Sequence, residues 1–151
     1  MATTSRSMSV LIVDDDLGDI LMIEEALESV GAPRRVFVVN DGEAALAFLR
    51  QSGGFAEVPR PDVVLLDLNM PRMDGRQVLA EIKSDADLRS IPVVVLTTSQ
   101  SPADVLSSYA LHANAYVTKP MNLDDLTDVV HKIDNFFART AALPGRRLTS
   151  T

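Results

Sequence analysis

The sequence has no cysteine in its 151 residues, which excludes a disulfide framework and thiolate chemistry. Basic residues are outnumbered: 14 Lys and Arg against 21 Asp and Glu give a net charge of −7. That is the wrong sign for binding nucleic acid through its phosphates. No apolar run approaches the length of a membrane span, and the opening MATTSRSMSV lacks the apolar segment of a secretory signal. There are only two histidines, His112 and His131. Both are expected on helices, outside any strand-end motif, and give no sign of a transition-metal site. Internal repeats and low-complexity segments are absent too. These absences predict a cytoplasmic protein that engages neither nucleic acid nor membrane. With 46% hydrophobic and 23% charged residues, the chain has an ordinary globular balance and is long enough for one well-buried core.

Two patterns alternate along the chain. Short apolar runs predict strands over 10–13, 35–39, 62–67, 91–96 and 115–118. Segments with apolar residues at helical spacing follow each run. The first, LGDILMIEEALESVG, starts where Asp16 or Asp19 can cap it and stops at Gly31. Others are expected over 43–50, 75–85, around SPADVLSSYALHAN with Ser101 as N-cap and Pro102 at N1, and over 123–139. The stretch QSGGFAEVPRP reads as a polar loop and the residues after 139 as a loose terminus.

Five strands alternating with five helices predict an α/β domain with a doubly wound parallel sheet. Runs such as VVLL and VVVL are continuously apolar, as strands buried on both faces must be. In such sheets ligands bind beyond the carboxyl ends of the strands, where the strand order reverses. In the flavodoxin-like order 2-1-3-4-5 the reversal falls between strand 1, which ends in Asp14 and Asp15, and strand 3, which ends in Asp67.

The converging acids need a counter-charge. Two carboxylates about 4 Å apart at an effective dielectric near 20 repel by roughly 4 kcal/mol. The donors are all oxygen, which favours a hard cation, Mg²⁺ or Mn²⁺, that keeps several waters and can meet a phosphate. Strand 4 ends in Thr97 and strand 5 in Thr118-Lys119-Pro120, so a hydroxyl and an ammonium face the same crevice. Taken singly, each of these is a solvated strand-end residue; together they form a site with a nucleophilic carboxylate, a cation and donors for an anion.

The acids of LIVDDD, then LLDLNMPRMDG, VVVLTTS and YVTKP, in this order, make the chain similar to receiver domains of two-component response regulators over roughly residues 9–138. The resemblance divides the chain into a flexible N-terminus (1–8), the receiver domain (9–139) and a C-terminal tail (140–151). It implies phosphorylation of Asp67 by a sensor histidine kinase, with Mg²⁺ held by Asp14, Asp15, Asp67 and the main-chain carbonyl of Asn69. It further implies that Thr97 and Lys119 bind the phosphoryl group, that Tyr116 is an aromatic switch, that Asn69 and Ser99 tune dephosphorylation, and that Lys119-Pro120 is a cis peptide. A carboxylate needs no general base to attack phosphorus, only neutralisation and positioning. Pro71 restricts the backbone presenting the Asn69 carbonyl, Gly75 allows a tight entry into helix 3, and Asp74 caps that helix.

At a finer level the chain resembles the small stand-alone regulators paired with bacterial phytochromes. About a dozen residues follow the last helix, too few for an output domain. The expected output is therefore a protein contact, or relay to a histidine phosphotransfer protein, and the only catalysis is the domain's own phosphorylation and dephosphorylation. Two alternatives stand beside this. A phosphatase of the haloacid-dehalogenase type would need a second acid where this chain has Asn69, which cannot exchange a proton. A receiver-like binding module would take no phosphate. The last helix aligns Leu126, Val130, Ile133 and Phe137 on one arc and leaves Val129 and Phe136 at its side. With Leu106, Tyr109 and Tyr116 these predict a homodimer through helix 4, strand 5 and helix 5.

Overall fold

In the computed structural model, which describes residues 7–144, side chains along the central strands point alternately to two separate cores. Leu11, Val13, Val64, Leu66, Val93 and Val95 face one core, and Val10, Ile12, Val63, Leu65, Val94 and Leu96 face the other. The period of two in side-chain direction explains why these runs must be apolar at every position. The strands are β1 (Met8–Val13), β2 (Arg34–Val39), β3 (Val63–Leu66), β4 (Val93–Thr97) and β5 (Ala115–Thr118). They pair in parallel in the order β2-β1-β3-β4-β5, the flavodoxin-like order expected, with the reversal between β1 and β3.

The helices are α1 (Leu17–Glu28), α2 (Gly42–Leu49), α3 (Gly75–Ser84), α4 (Pro102–Ala110) and α5 (Leu123–Asn135). Helices α2 and α3 supply Leu46, Leu49, Val78 and Ile82 to the first core; α1 and α5 supply Ile20, Ile23, Leu126 and Val130 to the second. Each helix begins on a capping side chain: Asp16, Asp41, Asp74, Ser101 and Asn122 accept main-chain N–H groups that the first turn leaves unpaired. Asp74 and Gln77 form a reciprocal capping box, so Asp74 does cap α3. The loop before β3 contains a short 3₁₀ turn, Gly53–Phe55.

Most boundaries shift by a residue or two from the sequence reading, and those of β4, α5 and the folded unit have a physical cause. Strand β4 starts at Val93 rather than 91, because Pro92 has no N–H to give the ladder; its carbonyl still accepts from Val64 N at 2.9 Å. Helix α5 stops at Asn135 rather than 139. The chain then widens into a π turn, Phe136–Thr140, where Ala141 N donates to Phe136 O at 2.8 Å and Phe137 packs edge-on to Phe136. The folded unit also reaches beyond 9–139. Met8 is buried in β1 against Arg34, and Leu143 is buried in the second core. Apolar side chains at both ends find core surface within reach. The rest of the expected flexible N-terminus, residues 1–6, and of the tail, 145–151, lies outside the described residues.

Candidate functional site

The strand register delivers the site. Val13 pairs with Leu66 and Asp67 N donates to Val13 O at 2.9 Å, so Asp14 and Asp67 leave adjacent strands at one level. Thr97 pairs with Thr118 and Lys119 N donates to Thr97 O at 2.7 Å, which sets Lys119 at the same edge. Asp14, Asp67, Thr97 and Lys119 are all buried, while Asp15 and Asn69 are exposed.

Lys119 is the hub. Its Nζ lies 2.7 Å from Asp14 Oδ2, 2.8 Å from Asp19 Oδ2 and 3.4 Å from Asp67 Oδ2. Burial alone would lower its pKa, but the hydrogen bonds to Asp14 and Asp19 and the nearby charges outweigh it and hold the ammonium above the ordinary lysine range. Burial pushes the Asp14 carboxyl up to about 6, against the opposing pull of Lys119 and of the Asp16 amide. Asp14 Oδ1 accepts from that amide at 2.9 Å. Three carboxylates thus surround a single ammonium, which cannot neutralise them all.

A divalent cation fits the remainder. One carboxylate oxygen from each of Asp14, Asp15 and Asp67 can be chosen so that all lie within 4.8 Å of one another. The set is all oxygen, and Asp15 stands open to water, as suits a hard ion that retains part of its hydration. The loop NMPRMDG turns back tightly: Gly75 N donates to Leu68 O at 2.8 Å, and a Cβ on Gly75 would meet Asp67 O at 2.2 Å. This contact demands glycine and presses the start of α3 against the acidic edge.

Thr97 Oγ1 accepts from Ser99 N at 3.5 Å. Tyr116 is half-buried, packs against the first core and donates its hydroxyl to Ser99 O at 2.9 Å. The expected cis peptide at Lys119-Pro120 is not there: no peptide bond among the described residues is cis. Trans is the lower-energy form of an X–Pro bond, and here the three carboxylates hold the Lys119 ammonium without it. His131 is tied to Ser29 Oγ and Ala26 O and His112 ends α4 in a left-handed turn; neither joins the acidic site.

Two groups of residues escaped the sequence reading. In the sequence Asp19 reads only as a capping candidate. Asp16 takes that role, and the Asp19 carboxylate, one helical turn after Asp15, swings to Lys119; the i, i+4 spacing was its only signal. The ion pair of Arg76 with Asp104 joins α3 to α4 and had no sequence signal.

The response regulator receiver domain family matches residues 10–131. The response regulator Rcp1 of Synechocystis sp. is 47% identical over 135 residues, 89% of this chain and 92% of Rcp1. A crystal structure of the phosphorylated cyanobacterial phytochrome response regulator RcpA superposes with a TM-score of 0.90 at 48% identity, covering 93% of this chain and 100% of that one. The Mn²⁺-bound form of Rcp1 superposes with a TM-score of 0.86 at 46% identity, covering 91% of this chain and 99% of that one.

Proposed function

The chain belongs to the response regulator receiver family, and from that premise we propose that it accepts one phosphoryl group on Asp67 from a sensor histidine kinase, with a bacteriophytochrome as the kinase class. The observation that carries this is the placement of the Asp67 carboxylate, 3.4 Å from Lys119 Nζ and grouped with Asp14 and Asp15. The phytochrome pairing is supported by the similarity to RcpA, itself a phytochrome response regulator.

In this reading an Asp67 oxygen forms the new bond to phosphorus as the phosphorus–nitrogen bond of the kinase phosphohistidine breaks, and the leaving imidazole takes up a proton. Asp67 acts as its own ionised nucleophile. Lys119 stabilises charge on the transferred group, and Thr97 offers a hydroxyl to one of its oxygens. Asp14, Asp15, Asp67 and the Asn69 carbonyl would hold Mg²⁺, with Mn²⁺ as a substitute, and the chemistry such an ion supplies is neutralisation of the phosphoryl oxygens. Asn69 and Ser99 carry no strong base, so the phosphorylated form should last minutes or longer. The domain catalyses only its own phosphorylation and dephosphorylation.

A kinase must bring its histidine to this edge, and exposed apolar side chains flank it. Leu17 and Leu21 lie one turn apart on α1, and Met121, 93% exposed, follows Lys119 by two residues. Output runs through protein contacts or relay to a histidine phosphotransfer protein, in the cytoplasm. Among the described residues no helix is long and apolar enough to cross a membrane.

Phosphotransfer profiling against the histidine kinases of the host tests the reading. Rapid transfer from a phytochrome kinase to wild type and none to Asp67→Asn is the expected result. Transfer to Asp67→Asn at the wild-type rate would overturn the assignment of Asp67, and preference for an unrelated kinase would overturn the pairing.

A further inference from the structure

Ser99, two residues beyond Thr97, holds together three elements that do not touch one another in sequence. Its carbonyl accepts the Tyr116 hydroxyl at 2.9 Å, which ties it to β5. Its hydroxyl donates to Asp104 Oδ2 at 2.6 Å and accepts from Ser101 N at 3.2 Å, which ties it to the start of α4. The other Asp104 oxygen receives the guanidinium of Arg76 on α3, and Arg76 also lies 3.5 Å from the capping Asp74.

The arrangement of α4 is unusual in one respect. Ser101 caps the helix by accepting from Asp104 N, and Asp104 occupies the position from which an acid can return to the cap's own N–H and close a capping box. Here that N–H goes to Ser99 Oγ instead, and the Asp104 carboxylate is spent on Ser99 and Arg76. The Ser99 hydroxyl and then the guanidinium hold the Asp104 carboxyl below the ordinary carboxylate range. With its hydroxyl engaged as both donor and acceptor, Ser99 is fixed in orientation, and its carbonyl with it.

We propose that Arg76 and Asp104 are positioning residues: their ion pair latches α4 to α3, fixes Ser99, and through the Ser99 carbonyl holds Tyr116 in its inward rotamer. The α4 and β5 face is thereby coupled to the helix that begins eight residues after Asp67, by a route that bypasses Thr97. The inference rests on the receiver reading only in taking Tyr116 as the residue whose position partners sense. Anything that draws α3 and α4 apart releases Tyr116, and anything that turns Tyr116 outward loosens α4.

Fluorine NMR of the protein labelled with 3-fluorotyrosine tests the latch. The chain has two tyrosines, and Tyr116→Phe identifies the Tyr116 resonance. In Arg76→Gln the ratio of inward to outward Tyr116 should fall about tenfold, the effect of losing one charge-assisted hydrogen bond. The resonance then moves toward its position in urea-unfolded protein. Asp104→Ala should give the same shift, the double variant no more than either alone, and Arg76→Lys most of the wild-type position. The α3 cap is retained in Arg76→Gln, because Asp74 bonds the main-chain amides of residues 76 and 77; Asp104→Ala makes the same comparison from α4 should that variant not fold. An unmoved Tyr116 resonance in the single variants, or shifts that simply add, would overturn the latch. No phosphoryl donor enters the measurement, so this outcome is separate from any failure of Asp67 to be phosphorylated.

Discussion

At the scale of single residues the site is an unbalanced charge cluster, and Lys119 is the side chain that makes it tolerable. Removing one partner of a buried ion pair costs about 3–5 kcal/mol, because the other charge is left uncompensated. Lys119→Met should therefore lose about that much stability to urea in chelator, since Asp14 and Asp67 lie beside it at 2.7 and 3.4 Å. A divalent cation, binding the folded state only, should restore more stability to this variant than to wild type. Equal gains in the two proteins would count against a shared site for lysine and cation. Most of the cluster was legible in the sequence, because Asp14, Asp15, Asp67, Thr97 and Lys119 each stand where an apolar run ends. Asp19 was not, because its partner lies a hundred residues away and its own neighbourhood reads equally well as a helix cap. Arg76 and Asp104 were hidden for the same reason: a polar side chain on a helix carries no mark of what it reaches.

At the scale of elements, strand ends are fixed by register and the loops after them by close approach. Gly75 is the tightest such point. A methyl group there would overlap Asp67 O at 2.2 Å and Leu68 Cα at 2.6 Å, both of them backbone. Gly75→Ala should destabilise the fold by about 2–4 kcal/mol, in the range of severe overpacking, and slow phosphorylation, because relief of the clash moves Asp67. Urea titration and phosphorylation rates measured on the same sample check both effects; an unchanged rate in a destabilised variant would show that the displacement spares the carboxylate. The central strands β1, β3 and β4 are legible because both of their faces are buried and their runs are apolar throughout. The end of α5 is hidden in the sequence because Phe136 and Phe137 continue the helical pattern, while the backbone widens to turn Phe137 into the core. The inward position of Tyr116 depends on a carbonyl supplied by another loop, and no local pattern records it.

At the scale of the whole molecule the alternation of strand and helix marks a doubly wound parallel sheet, but nothing in the sequence marks the tie that closes its far end. Arg34, at the start of β2, forms a two-pronged pair with Asp134 of α5 at 2.6 and 2.9 Å, with the side chains only 11% and 4% exposed. Asp134→Ala should cost about 3–5 kcal/mol in urea denaturation while leaving phosphorylation intact; a loss below about 1 kcal/mol would place the pair with weak surface bridges. On the β5 side of the sheet, Leu106, Tyr109 and Phe136 are exposed at 72%, 47% and 50%, and Val117, Ile133 and Phe136 line an apolar cavity of about 460 Å³ between β5 and α5. This face supports the homodimer proposed for α4, β5 and α5. Phe136→Asp should shift sedimentation toward monomer without unfolding, whereas wild type sedimenting as a monomer at high micromolar concentration, with or without phosphate, would remove the dimer from the account. The account as a whole turns on Asp67, and intact-protein mass spectrometry after incubation with acetyl phosphate tests it most directly. Wild type should gain the mass of one phosphoryl group, lose that gain when the divalent cation is chelated, and show none as Asp67→Asn. An undiminished gain in Asp67→Asn, or in chelator, would contradict the central claim.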